Sequence, residues 1–391
     1  LKLMRTKRAF WVILLSAFTA LAVLSAGYVL RLVEVRGTNL GLVHEALNAM
    51  ATYSLLPMPD DLTLERAMIH AAVGTLGDPF SVYVEPAQHE LQADDLAGEY
   101  GGIGALLTTD EAGRVLLTPL ADGPAQSAGI RPGSIVVSID GLRVPLFPSL
   151  SDLVAGLRGP EGTEVRLEIR GPDEGDGTLE YILARARFDI PSVSAFLSPL
   201  DPAVGVIKLV RFAENSPEEV GAGFDTLREQ GIQALVLDLR DNGGGLLDST
   251  VEIARFFLSS GTILTEESVD HERKEYRVEI PGRAVDLPMA IFVNENTASA
   301  AEVLAAALRE NERAVLIGSR TFGKGTVQAV VELSDGSSLH ITTARWLAPD
   351  GETLDGTGLT PDYTVESSSE SGPDPYLTLA QQLLLAESVA P

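Results

Sequence analysis

Val293-Asn294-Glu295-Asn296-Thr297-Ala298-Ser299-Ala300-Ala301-Glu302 runs from an apolar strand through a polar turn into an Ala-rich helix. With it belongs Thr321-Phe322-Gly323-Lys324-Gly325-Thr326-Val327-Gln328, a Gly-flanked lysine leading into another strand. The first stretch presents Ser299 among small neighbours, and the second sets Gln328 four residues after Lys324. Ser299 reads as a nucleophile, Lys324 as its base and Gln328 as the residue that orients the lysine. Each has a plainer reading beside it. Ser299 to Glu302 is a Ser-x-x-Glu capping box at the head of an apolar helix. A lysine in a Gly-rich turn is ordinarily a solvated surface group.

The chemistry sets conditions on the first reading. A helix N-terminus suits both a cap and an oxyanion, because its dipole and free N–H groups favour negative charge. A lysine acts as a base only when neutral. Its ordinary pKa is about 10.4, and burial or a cationic neighbour lowers it. Gln328 is uncharged, so it can orient an amine without stabilising the ammonium. The Gly-x-Ser-x-Gly elbow of the α/β hydrolases is absent, and no histidine lies in a context that suggests a Ser-His pair, His340 being the candidate nearest the lysine.

Outward from this pair, residues 187–365 alternate strands with helices, as in an α/β core. Strands are expected at 203–210, 234–239, 289–293 and 314–317, and helices at 217–229, 247–258 and 299–309. A hairpin is expected over 327–333 and 338–343 through Asp335-Gly336. Gly243-Gly244-Gly245 follows the second strand. Such a turn either aims backbone N–H groups at developing negative charge or merely joins strand to helix. Residues 318–324 match Gly-x4-Gly-Lys of a phosphate loop. The Ser or Thr that would hold magnesium is replaced by Gly325, which argues against nucleotide.

Upstream, Lys2, Arg5, Lys7 and Arg8 precede an uncharged apolar run over 9–30. That run is about the 20 residues needed to cross a bilayer. It predicts a membrane anchor over 1–30 with the catalytic part extracytoplasmic. A cleaved signal ending near Ser25-Ala26-Gly27 is the alternative, giving a secreted or periplasmic product. Residues 31–96 are expected to form a small helical region, with helical periodicity over about 39–70 interrupted by Pro57 and Pro59 and closed by the turn Leu76-Gly77-Asp78-Pro79-Phe80-Ser81. Residues 97–186 change to short β-rich runs punctuated by glycine, and 366–391 form a linker and terminal helix.

Composition removes other classes. The formal net charge of -26 argues against nucleic acid as a partner. With no cysteine, disulfides and thiol catalysis are excluded. Five scattered histidines in no His-Glu-x-x-His spacing give no metal site, and no cofactor is expected.

Two resemblances join these parts. Gly101-Gly102-Ile103-Gly104, Gly123-Pro124-Ala125 and Arg131-Pro132-Gly133-Ser134-Ile135-Val136, followed by a helix, resemble a PDZ domain. The resemblance implies that a peptide C-terminus adds beside the Gly102-Ile103-Gly104 loop. A β-rich packing domain is the plainer alternative. Asp-Leu-Arg-x-Asn-x-Gly-Gly (238–245), Val-Asn-x-x-Thr-Ala-Ser-Ala-x-Glu (293–302) and Gly-x-x-Thr-Phe-Gly-Lys-Gly-x-Val-Gln (318–328) resemble the carboxyl-terminal processing peptidases, tail-specific Ser-Lys proteases. So do the turn at 76–81, Thr342-Thr343-Ala344-Arg345-Trp346 and Gly358-Leu359-Thr360-Pro361-Asp362. The family implies Ser299, Lys324 and Gln328 as catalytic residues, and an oxyanion hole from the N–H groups of Ala300 and Gly244. It implies polypeptide substrates with apolar C-termini. Gly243 departs from it, standing where many members have proline, and Ala301 stands where many have serine.

The expected architecture is multidomain α+β. It comprises an N-terminal transmembrane helix, a small helical region, a PDZ domain and a crotonase- or Clp-protease-like α/β serine protease core. The expected function is a serine endopeptidase that cleaves exported proteins after reading their C-termini. The alternatives are a catalytically inactive membrane-anchored PDZ scaffold and, from the Gly-rich turn alone, a crotonase-type acyl-CoA enzyme. The oligomeric state is left open, a homo-oligomer among the options.

Overall fold

The computed structural model describes residues 40–173, 175–365 and 373–386. They belong to two compact units that meet in sequence at Met68 and Ile69. The first holds helix α1 (Gly41–Tyr53), none of whose residues is buried, and the start of α2 (Asp61–Gly74).

The second unit takes the end of α2, then strand β1 (Val82–Val84) and helix α3 (Pro86–Ala97). Proline stands at the first turn of α3, where an N–H would have no helical partner, and Gly98 ends it with φ 77. A β-rich domain follows. Its elements are β2 (Glu99–Gly102), β3 (Ala105–Thr109), β4 (Val115–Pro119), α4 (Pro124–Ser127), β5 (Ser134–Ile139), β6 (Leu142–Arg143), α5 (Leu150–Leu157), β7 (Glu164–Arg170), β8 (Thr178–Ala184) and β9 (Ala186–Asp189). The sheet order is β3-β4-β5-β7-β8 with β6 on β5, and β2 pairs β9 separately. Strand β7 shows why the sheet has one dry face. Val165, Leu167 and Ile169 point inward while Glu164, Arg166, Glu168 and Arg170 point out, the period-two pattern of a half-buried strand. The inward residues join Val115, Leu117, Ile130 and Val136 in one core.

The remaining chain builds two more sheets. Its elements are β10 (Val193–Leu197), β11 (Val204–Leu209), α6 (Ser216–Glu229), β12 (Ala234–Asp238), α7 (Leu247–Phe257), β13 (Thr262–Ser268), β14 (Arg273–Arg277), β15 (Met289–Val293), α8 (Ala300–Glu310), β16 (Val315–Gly318), β17 (Thr326–Glu332), β18 (Ser338–Leu347), β19 (Tyr363–Thr364) and α9 (Pro375–Ala386). The main sheet runs β10-β11-β12-β15-β16-β19, parallel except for β10 at its edge. Every residue of β12 and β15 is buried, because helices cover both faces. Ile207, Leu209, Leu235, Leu237 and Ile291 face α6, α7 and α8. Val204, Val206, Ala234, Val236 and Phe292 face α9 through Tyr376, Leu377, Ala380 and Leu384. Arg240 pins α9 to the sheet. It bonds Asp238 at 2.6 Å and Asp374 at 3.0 Å, and its guanidinium lies 4.6 Å from the Tyr376 ring centroid.

The second sheet is antiparallel, with order β1-β18-β13-β14 and β17 also on β18. The hairpin expected through Asp335-Gly336 is β17–β18, with β18 running on to Leu347. Its far end pairs with β13 and its near end with β1. Segment 76–84 therefore packs into the same layer as the lysine-bearing chain, a pairing across more than 250 residues that no local pattern announces.

The expected N-terminal transmembrane helix is corrected here. Among the described residues no helix is long and apolar enough to cross a membrane. The longest described helices, α2 and α6, have 14 residues. That is about 21 Å at 1.5 Å per residue, against a hydrocarbon core of about 30 Å. The apolar run that carried the expectation, within 1–30, lies outside the described residues. The described fold is a mixed α/β core bearing a β-rich domain.

Candidate active site

Ser299 sits where β15 hands over to α8, at the N-cap of that helix. The turn before it is tied from several sides. The Thr297 hydroxyl donates to the Leu239 carbonyl at 2.9 Å and accepts the Asn294 N–H at 3.0 Å. The Ala298 N–H donates to the Asn242 carbonyl at 2.9 Å. Held this way, Ser299 adopts φ 55 and ψ -121. A non-glycine residue there stores strain of about 1–3 kcal/mol and persists only when its surroundings fix it. The helix behind it is dry, with every residue from Ala300 to Leu308 buried.

The Gly-rich turn lies against this serine. A Cβ on Gly244, whose φ is +105, would stand 3.0 Å from the Ser299 Cβ and 3.1 Å from the Ala300 nitrogen. A Cβ on Gly245 would strike the Phe212 carbonyl oxygen at 2.2 Å. Gly243, the position that departs from the family pattern, would meet nothing. Asn242 is fully buried and organises the turn. Its side-chain amide donates to the Leu209 carbonyl at 2.8 Å and its Oδ1 accepts the Gly244 N–H at 2.8 Å. The Gly244 N–H is thus turned into its own loop. The Ala300 N–H belongs to the first turn of α8, where helix donors lack intrahelical acceptors.

Lys324 arrives on a loop bonded directly to the serine's helix. The buried Glu302 carboxylate accepts the backbone N–H groups of Ser299 and Lys324 on one oxygen, each at 2.9 Å. The two nitrogens therefore stand within twice that distance of each other. The other oxygen accepts the Gly323 N–H at 2.8 Å and the Thr321 hydroxyl. The Trp346 indole donates to the Lys324 carbonyl at 3.1 Å, and Asp355 accepts the Gly325 N–H at 3.2 Å. The Lys324 Nζ lies 5.1 Å from the Phe80 ring centroid. Burial pushes the Lys324 amine below its ordinary value, with nearby Asp78 opposing in part. Gln328 directs its amide nitrogen to the hydroxyls of Thr326 at 2.8 Å and Thr342 at 3.3 Å, which leaves its carbonyl end as an acceptor.

Ser299, Ala300, Lys324 and Gln328 line one cleft of about 570 Å³, whose walls include Leu246, Leu247, Val303, Val327 and Trp346. His340 lines it too. Burial, then the positive charges of His89 and Lys324, lower its pKa. Glu302, Phe80 and Asp78 are the neighbours that sequence reasoning missed. Glu302 was visible only as a cap and Phe80 only as part of a turn.

Gly102 ends β2 and Ile103 and Gly104 lead into β3; none of the three lines this cleft. Among the described residues β3 pairs only with β4, so its other edge is open, as strand addition requires. Half-buried Leu107, Leu150 and Leu153 line the space between β3 and α5 against the domain core. Helix α3 joins the two places. Its Gln92, Asp95 and Leu96 line the cleft, while its Asp94 pairs at 2.9 Å with Arg158 at the end of α5.

Comparison with known proteins gives the family of the chain. The model of peptidase family S41 matches residues 203–365 and that of the PDZ domain matches 115–171. The carboxyl-terminal-processing protease of Synechocystis sp. is 36% identical over 303 residues, covering 76% of this chain and 70% of that protein. The chain belongs to peptidase family S41. Within it the chain falls among the carboxyl-terminal-processing proteases, as an S41 serine peptidase with a PDZ domain. The carboxy-terminal processing protease CtpA of Bacillus subtilis is 33% identical, covering 78% of this chain and 65% of that one. Carboxyl-terminal-processing peptidase 2, chloroplastic, of Arabidopsis thaliana is 37% identical, covering 77% and 60%. The chain thus spans less than two thirds of the length of these last two relatives. Among solved structures, the photosystem II D1 C-terminal processing protease superposes with a TM-score of 0.48 at 31% identity, covering 82% of this chain and 86% of that one.

Proposed function

We propose that this S41 peptidase cleaves polypeptides through a Ser299–Lys324 dyad. The observation that carries the reading is the shared cleft. In it a strained serine at a helix N-terminus and a desolvated lysine stand on segments bonded to the same carboxylate.

Neutral Lys324 takes the proton as the Ser299 Oγ attacks the scissile carbonyl carbon. The tetrahedral oxyanion lies against the Ala300 N–H. It also meets the Gly244 N–H, which turns from Asn242 toward the substrate when the cleft fills. The intermediate collapses to an ester on Ser299, and the Lys324 ammonium gives its proton to the leaving amine. Water then attacks the ester, Lys324 accepting its proton and returning one to Ser299. The Gln328 carbonyl accepts a hydrogen bond from the lysine and fixes its direction. The apolar wall of Leu246, Leu247, Val303 and Trp346 suits an apolar side chain beside the cleaved bond. The PDZ domain takes the substrate's C-terminus at Gly102-Ile103-Gly104 along the open edge of β3.

A fluorophosphonate followed by peptide mass spectrometry tests the nucleophile. The expected adduct is on Ser299, and labelling of the full chain at another residue with Ser299 unmodified would contradict the assignment. An inactive scaffold has no observation in its favour, since peptide binding alone uses neither the strained serine nor the desolvated lysine.

A further inference from the structure

We propose that Glu302 is a positioning residue: one buried carboxylate sets the distance between the nucleophile's turn and the base's loop. The proposal rests on the Ser299–Lys324 reading. A capping glutamate needs only one hydrogen bond, to the N-cap N–H, and Glu302 makes it to Ser299 at 2.9 Å. Its other three acceptances go to Thr321, Gly323 and Lys324, all on the lysine's loop and 19 to 22 residues away in sequence. Glu302 is fully buried. An anion in that setting is costly unless each lone-pair direction is satisfied, and here four donors converge on it. The helix N-terminus adds favourable potential. A plain cap on an exposed helix end would supply the same N–H bond without that burial, so the burial is explained by the second set of bonds.

The arrangement is selective for a carboxylate. Ser299 and Lys324 share one oxygen, and Thr321 and Gly323 share the other. Glutamine would turn two N–H donors toward one of these pairs. Either the Ser299–Lys324 pair or the Thr321–Gly323 pair would then lose its acceptor, and the loop would move relative to the helix. The Glu302 carboxylate bonds neither Lys324 Nζ nor Ser299 Oγ among the described hydrogen bonds, and Ser299 Oγ meets only the Glu302 backbone N–H in the capping box, so the carboxylate acts through the backbone.

The test uses the full chain with an unfolded casein-like substrate. Glu302→Gln is expected to hold KM within about threefold and to lower kcat at least about 100-fold per folded molecule. It should also displace the rising limb of the pH profile of kcat/KM. A purely structural role would lower the melting temperature and leave these readouts for the folded fraction unchanged, and that result would overturn the proposal. Glu302→Asp keeps the charge but withdraws it by one methylene. It is expected to lose kcat about tenfold with KM within threefold, and it decides the matter alone if the glutamine variant does not fold: an unchanged kcat overturns the proposal. Ser299→Ala run in parallel separates the two levels. Its inactivity beside a fully active Glu302→Gln overturns the positioning role only, whereas full activity of Ser299→Ala overturns the dyad and this proposal with it.

Discussion

The Nζ of Lys324 lies 5.1 Å from the centroid of the Phe80 ring, although the two residues stand 244 positions apart. An aromatic face attracts an ammonium, which favours the charged lysine, while the same ring excludes water, which favours the neutral one. Burial is the larger influence on this amine and lowers its pKa. Phe80→Ala should therefore admit water and move the rising limb of kcat/KM against pH toward the ordinary lysine value. A limb that stays in place or moves to lower pH would show that the ring does not act by desolvation.

The same lowered pKa has a consequence for stability. Between its lowered folded value and the ordinary lysine value, the unfolded chain binds more protons at this position than the folded one. Stability should rise with pH across that window and be lowest, as far as Lys324 contributes, below it. The unfolding free energy of Lys324→Met should lack this rise. Urea titrations from neutral to alkaline pH measure the difference, and parallel curves for the two proteins would refute it.

Gly244 and Gly243 should behave differently. Gly244→Ala forces a side chain into φ +105 and within 3.0 Å of the Ser299 Cβ. It should cost activity about 100- to 1000-fold, the range for losing an oxyanion donor. Gly243→Ala places its methyl in open space and should stay within about threefold. Steady-state kinetics on both variants checks the contrast.

Arg240 is a stability prediction rather than a catalytic one. Asp238 is 3% exposed, so removing its guanidinium partner leaves a carboxylate buried and unpaired. Arg240→Ala should destabilise the protein by about 3 kcal/mol. It should also loosen α9, which the same guanidinium holds through Asp374 and Tyr376. Thermal melting and limited proteolysis near residue 373 measure both effects.

The residues show what a linear reading could reach. Strands β12 and β15 were legible because burial on both faces demands unbroken apolar runs. The β17–β18 hairpin was legible because Asp335-Gly336 marks its turn. Ser299 was legible as a cap, and it occupies the N-cap of α8 and lines the cleft. Helix α3 was not legible, since its apolar face is weak and its contacts lie in two different domains. Strands β13 and β14 were missed as well, because β13 carries two adjacent glutamates, one of them the buried Glu267, and β14 is charged at every position but Tyr276. The turn at 76–81 looked local, yet Phe80 reaches Lys324, and the Thr342 N–H donates to the Ser81 hydroxyl at 3.1 Å. The bonds of Gln328 depended on a register shift between Val327 and Gln328, which turn chemistry does not announce.

The PDZ reading is checked with a cleaved substrate shortened at its C-terminus. Removing its last three residues should raise KM at least about tenfold, because the open edge of β3 loses its ligand. Unchanged kinetics would remove the domain from substrate recognition.

The central claim is that Ser299 and Lys324 act as one unit, and the most direct measurement is the cleavage rate of a casein-like substrate by Ser299→Ala, Lys324→Ala and the double variant. Residues of one unit are non-additive. Each single variant should fall at least about 1000-fold, and the double variant should fall no further. Full activity in either single variant, or losses that multiply in the double variant, would contradict the account.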